Sequence, residues 1–389
     1  MSGNMIDLDA LTVEKQYIIS AMSNEEVRQM LMQALAPRHM PSAASMPEKQ
    51  DKAPLIKLDE LVKAKLKKHR DMRTKLDDRA SRWLDITEKV LTLGYQTPKY
   101  TDMDMHDVFR DLREELNRHF LPEDFIENLI PSLMAYIVNG EMSRPAIVVG
   151  PAGCGKTTAL EIVSRVLGMA FYRFDALTAF TSHGLYGEGA SFSGPDIGDV
   201  TKGKVETGFL NPFYIVDEVE KSPPPGNRTS FQDELLPICD KSQDSYMDNF
   251  LGFRLPLNRS VFMFTANSLD GLSEPLLDRV EVIHFPEVKV DRMKRIITNY
   301  ATDMQRENLY SGCITIDIPA LNHAVEKLYD LGTHSIRQHQ NLVEYAFRTA
   351  FTTFLNGRDT VVSVDDEVYR NAFTLYEARK NNSRIGFFR

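Results

Sequence analysis

The chain has 389 residues, enough for two or three domains with a real core. Hydrophobic residues make up 42% and charged residues 26%, as in ordinary globular proteins, and no apolar run reaches the length of a membrane span. Net charge is 46 − 55 = −9, which argues against a polyanion binder by bulk charge.

The N-terminus, Met1-Ser2-Gly3-Asn4, lacks a basic stretch followed by an apolar one, so no signal peptide is expected. Three widely spaced cysteines, Cys154, Cys239 and Cys313, form neither a zinc spacing nor a disulfide framework, as suits a reducing cytoplasm. Residues 1–35 read as a helical segment, with apolar residues at three- and four-residue steps through Val13, Tyr17, Ile18, Met22, Val27, Leu31 and Leu35. Residues 36–54 read as a linker, broken by Pro37, Pro41, Pro47 and Pro54. Helix returns from Leu55 to Leu93, within a helical region of 55–104 and before a loop at 94–100, with a stripe through Leu58, Leu61, Val62, Leu66, Leu76, Trp83, Ile86 and Val90. Its stretch 63–75 is basic. Asp71, Asp77 and Asp78 interleave without aromatic residues, which favours a solvated helix face over a nucleic-acid arm. Helix is again expected over 105–139, with Pro131 as a kink or boundary.

From 144 to 285 strand and helix signals alternate, the pattern of a parallel sheet with helices on both faces. Ala146-Ile147-Val148-Val149 reads as a buried strand and 159–167 as a helix. Between them lie Gly150, Pro151, Ala152, Gly153, Cys154, Gly155, Lys156, Thr157 and Thr158, which fit G-x-x-x-x-G-K-[ST]. Glycines let backbone N–H groups close on phosphates, and the helix start adds its positive end. This pattern points to ATP with Mg²⁺: Lys156 reaching the β- and γ-phosphates, Thr157 ligating the metal. Phe213-Tyr214-Ile215-Val216-Asp217-Glu218 is an apolar run ending in two acids, which a strand delivers to the carboxyl edge of the sheet. Asp217 is the candidate Mg²⁺ holder and Glu218 the residue that activates water. Val261 to Ala266 reads as a third buried strand, ending at Asn267, which can hold the water and sense the γ-phosphate. Pro275-Leu276-Leu277-Asp278-Arg279 puts an arginine at a helix end. Residues 286–389 are mostly helical, at 290–308, 319–331, 335–356 and 365–380, and read as a small α-helical lid after the α/β domain of 105–285.

Loop, Asp-Glu strand, Asn strand and arginine together resemble the AAA+ ATPases. More narrowly, Asn211-Pro212 through Lys221, Pro275 to Ile283, and Leu235-Leu236 through Gln243 resemble the ATPase module of Lon proteases. The resemblance covers roughly residues 110–360 and does not extend to 1–100. It implies an ATP-hydrolysing ring of identical subunits, usually six, with Arg279 completing a neighbour's site and a polypeptide threaded through the pore. Counting from Gly187 to Gly198 and Gly208 puts Phe192 where Lon carries its pore-loop aromatic. In the lid, Lon and Clp-type relatives have Gly-x-Arg; here Gly332-Thr333-His334 puts His334 at that place, and Arg337, one turn on, is the substitute. The chain stops at Arg389, so the Ser–Lys peptidase domain of Lon is not expected. Two other readings stay open: a nucleic-acid-linked motor or loader using 63–75, and a nucleotide-switched scaffold for a separate effector, such as a defence system.

Overall fold

The computed structural model describes residues 56–374, apart from 102, 141–143, 182–183, 190–194, 223–229, 241–243, 308 and 358–360. The helix expected over 1–35 and the linker expected over 36–54 fall outside the described residues. The described chain divides into two compact units, with the division between Glu287 and Val288.

In the first unit two helices, α1 (Glu60–Asp71) and α2 (Asp78–Leu91), replace the single continuous stripe read from sequence. The break has a local cause. Asp77 accepts from the Ala80 backbone N–H and starts α2, as Asp59 accepts from Val62 and starts α1. The basic residues of this stretch do not all face water unpaired: Arg70 pairs with Glu88, and Arg73 with Asp85 and Glu88. Trp83 is buried on α2; its indole N–H donates to the Leu251 carbonyl at 2.9 Å, and the Lys65 ammonium lies 3.9 Å over its ring. Helices α3 (Met105–Arg118) and α4 (Glu123–Asn139) follow. Pro131 neither ends nor bounds α4; it lies on the helix's exposed side and the helix runs on to a left-handed Gly140 cap.

The sheet comprises β1 (Ala146–Val149), β2 (Phe171–Asp175), β3 (Phe213–Asp217), β6 (Val261–Ala266) and β7 (Glu281–His284), in the order β2-β3-β6-β1-β7, all parallel. Every residue of β1, β3 and β6 is buried, as continuous apolar runs in a covered parallel sheet must be. Helices α5 (Lys156–Val166), α6 (Ala176–Thr181), α7 (Asp199–Thr207), α8 (Phe231–Cys239) and the short α9 (Glu274–Leu277) complete the unit. The α/β class with a parallel P-loop sheet is the one read from sequence. A hairpin of β4 (Ser245–Asp248) and β5 (Phe253–Pro256) is an addition to it.

The second unit holds α10 (Val290–Arg306), α11 (Ile318–Asp330), α12 (Ile336–Asn356) and helical residues 366–374. It is not wholly helical. Strands β8 (Ile314–Ile316) and β9 (Val362–Val364) pair in parallel.

Candidate functional site

The three central strands β3, β6 and β1 end side by side. Val149 is level with Ala266, and Val216 with Phe264. The residue following each strand therefore reaches the same edge, the usual ligand side of an open α/β sheet.

The loop after β1 turns on Gly153 (φ 74) and Gly155 (φ 100), left-handed conformations that favour glycine. Gly150 has a different reason: a Cβ there would meet the Phe285 carbonyl at 2.3 Å. Gly155 caps α5 with no side-chain hydrogen bond, so the first N–H groups of an eleven-residue helix are left for an anion. Lys156 is buried and donates to the carbonyls of Gly150 (2.7 Å) and Pro151 (3.0 Å) and to Asn267 Oδ1 (3.0 Å). Burial lowers its pKa; the acids Glu220, Glu218 and Asp217 act in the opposite direction. Cys154 is buried, as are Cys239 and Cys313.

Asp217, at the end of β3, is the hub of the acidic side. Its Oδ1 accepts from the Thr157 hydroxyl at 2.8 Å and from the Thr265 hydroxyl at 2.9 Å. Its Oδ2 lies 3.2 Å from Arg173 Nε, and Arg173 also pairs with Glu161. Burial pushes the Asp217 carboxyl up, against those two hydroxyls and the arginine. A hydroxyl and a carboxylate oxygen this close are hard donors that suit Mg²⁺. Among the described residues no group of three or more His, Cys, Asp or Glu side chains could hold a metal, so the ion would take its remaining ligands from phosphate and water.

Glu218 has φ 56 and ψ 48, a left-handed conformation rare for a residue with a side chain, costing on the order of 1–3 kcal/mol. It turns the chain sharply off the sheet edge. Its N–H donates to the Thr265 hydroxyl at 3.1 Å, and its carboxylate pairs with Lys221 at 2.6 Å. Asn267 bridges Lys156 and the carboxylate of Glu220.

The geometry thus gathers Lys156, Thr157, Asp217, Glu218 and Asn267 at one edge. Three of their partners, Thr265, Arg173 and Glu220, were not read from sequence. The hydroxyl of Thr265 in an otherwise apolar strand was a usable signal. Arg279 is exposed at the end of α9, its guanidinium donating to the Pro275 carbonyl at 2.8 Å. Phe192 lies outside the described residues. The feet of its loop do not: the Glu188 N–H donates to the Asp196 carbonyl at 2.9 Å. Below that bond Gly187 and Gly198 pack backbone to backbone, where a Cβ on Gly198 would meet the Leu185 carbonyl at 2.2 Å. The hairpin turn grips the same feet. Asp248 accepts from the Gly198 N–H, and Asn249 hydrogen-bonds Tyr186 and Gly187 through its N–H and side chain.

In the second unit His334 and Arg337 are not related by one helical turn. Helix α12 begins at Ile336 with Ser335 as its cap, so His334 precedes the helix and shares no helical face with Arg337. The His334 ring stacks on Tyr329 at 4.3 Å, while Arg337 is exposed on the first turn.

The model of the AAA family, "ATPase family associated with various cellular activities", matches residues 146–287. A Lon protease of Nitrosococcus oceani is 29% identical over 287 residues, 72% of this chain and 36% of that protein. Lon protease 2 of Hydrogenovibrio crunogenus is 27% identical over 321 residues, 79% of this chain and 35% of that protein. The match spans about a third of the length of these relatives. Among solved structures, a point mutant of Thermotoga maritima RuvB is similar with a TM-score of 0.45 and 16% identity, over 65% of this chain and 69% of that one. Residues 146–287 thus match the AAA family, and the chain is similar in sequence to Lon proteases over that stretch and its flanks.

Proposed function

We propose that this chain hydrolyses ATP to ADP and phosphate, and that copies of it form a ring, in the cytoplasm, that uses the energy to remodel or thread a polypeptide. No step of the reading is peptidase chemistry. The observation that carries the hydrolytic part is the convergence at one sheet edge of Lys156, Asn267 and the Thr157–Asp217 pair.

Mg²⁺, when bound, would be held by Thr157 and Asp217 and would neutralise phosphate charge. The remaining work belongs to the chain's own groups. All three ammonium donors of Lys156 have protein oxygens as partners, so engaging a phosphate means surrendering at least one of the two loop carbonyls. Helix α5 presents its unpaired N–H groups to the same phosphates. Glu218 holds Lys221 with one carboxylate oxygen and can orient and polarise a water with the other. The exposed pair is worth little, about 1 kcal/mol or less, so it does not hold the side chain back. Arg279, exposed and bonded only to its own helix among the described residues, is free to act on a neighbouring subunit's γ-phosphate, where a guanidinium in trans is worth about three or more orders of magnitude in rate. Phe192, on the loop that Gly187 and Gly198 close, would grip the polypeptide. The intramolecular ion pairs of Arg70 and Arg73 count against a nucleic-acid arm at 63–75.

The test is Glu218→Gln, assayed by phosphate release and by nucleotide affinity. Turnover should fall about a hundredfold or more with ATP affinity retained. Wild-type turnover in that variant would refute the assignment of the base. Phe192→Ala tests the output: a fully active remodelling assay in that variant would remove threading.

A further inference from the structure

Asn267 is held from behind. Its backbone N–H (3.0 Å) and its side-chain Nδ2 (2.6 Å) both donate to one oxygen of Glu220, Oε1. A carboxylate only accepts, so the amide must turn its NH₂ to Glu220 and its oxygen away. That oxygen takes the Lys156 ammonium at 3.0 Å. The amide is wedged between an anion and a cation, and either neighbour alone would select the same orientation.

Glu220 stands where it does because of the left-handed turn at Glu218. The 3-10 turn Val219–Lys221 that follows leaves the Glu218 carboxylate on Lys221 and brings that of Glu220 to Asn267. Its second oxygen, Oε2, is buried and has no hydrogen-bond partner among the described residues. A buried acceptor left unpaired is costly, and a purely structural tie would be served as well by a neutral amide. What the carboxylate adds is a charge-assisted bond that polarises the amide and anchors it from behind.

We propose that Glu220 is the positioning residue for Asn267: it locks the carboxamide so that Lys156 and Asn267 meet the terminal phosphate as one unit. Lys156 can then exchange its loop carbonyls for phosphate while the Asn267 oxygen keeps the ammonium in place. The second N–H of the amide remains for a phosphate oxygen or the water. The proposal rests on the ATPase reading above.

The experiment is a double-mutant cycle on the full chain with Glu220→Ala, Asn267→Ala and the pair, with Glu220→Gln alongside. Two quantities are read: turnover, and the ratio of affinities for a non-hydrolysable ATP analogue and ADP. Glu220→Ala should lower kcat about tenfold or more with ADP affinity within about threefold. Asn267→Ala should do at least as much. The double variant should be no worse than Asn267→Ala, because Glu220 acts through that residue. The two single variants should shift the analogue-to-ADP ratio in the same direction. Glu220→Gln keeps an acceptor oxygen at the same reach but not the charge: it should be as stable as wild type, which shows that the turn folds, and recover only part of the lost turnover. Losses that multiply in the double variant, or a Glu220→Ala with normal kcat and ratio, overturn the proposal. If the wild type binds nucleotide without turning it over, the hydrolytic reading fails, and the affinity ratio still decides the role of Glu220.

Discussion

Lys204 offers the sharpest physical test of the fold around the site. It lies on α7, fully buried, and the one hydrogen bond its ammonium makes among the described residues goes to the Leu210 carbonyl just ahead of β3. Burial pulls its pKa from an ordinary 10.5 down to about 7. The folded state therefore prefers the neutral amine, while the unfolded chain keeps the proton up to its ordinary pKa. The unfolded state binds more protons between those two values, so this group's contribution to stability rises with pH through that window. At pH 7 the burial costs on the order of 4 kcal/mol relative to high pH. Lys204→Met keeps most of the volume and removes the charge, but leaves the Leu210 carbonyl without its donor, a loss of about 1 kcal/mol. The variant should be more stable than wild type by ~3 kcal/mol at pH 7 and by ~1 kcal/mol at about pH 9, with the sign reversing near about pH 10. Trp83 is the chain's single tryptophan, buried in the same unit, so guanidinium unfolding followed by its fluorescence reads the difference directly. A Lys204→Met variant less stable than wild type at pH 7, or a difference that does not change with pH, would show that the lysine is not buried as described.

Other expectations concern the site and its loop. Mixing Arg279→Ala with Glu218→Gln subunits, each inactive alone, should restore part of the turnover, because some interfaces then pair an intact base with an intact arginine; no recovery at any ratio would place Arg279 outside the neighbour's site. Gly198→Ala should cost about 2–4 kcal/mol or expose the 188–196 loop to protease, since its Cβ has backbone at 2.2 Å. Gly208→Ala, left-handed at φ 80 but with nothing within 4 Å, should cost only about 1 kcal/mol in the same unfolding assay. Thr265→Val removes the hydroxyl shared by Asp217 and the Glu218 N–H; it should lower stability by about 1–3 kcal/mol and cut turnover, read by denaturation and phosphate release.

The groups that gather at the sheet edge were legible because phosphate chemistry needs particular residue types in contiguous order. A glycine loop followed by Lys156-Thr157, or an apolar run ending in Asp217-Glu218, carries its structural context in its neighbours. Glu220, Thr265 and Arg173 were not legible because their meaning comes from contacts between strands: Asn267 and Glu220 are 47 positions apart, Thr265 and Asp217 are 48. The β4–β5 hairpin was missed for a related reason. Four-residue strands are too short to show a period, although Gly252 at φ 76 marks their turn. The β8–β9 pair of the second unit consists of three-residue strands joined only by tertiary pairing. His334 and Arg337 were placed on one face although the helix itself was read from 335, so the three-residue spacing was carried across the helix start that Ser335 caps.

The hairpin that grips the loop feet runs almost directly into the strand that delivers Asn267. Pro256 ends β5 and Val261 begins β6, and the link between them is itself tied down, Leu257 to the Asp244 carbonyl and Ser260 to the Leu257 carbonyl. The loop feet and the strand that carries Asn267 are thereby joined by a short, hydrogen-bonded stretch of chain, so a shift of β6 along its own axis would bear first on the hairpin and through it on Gly187 and Gly198.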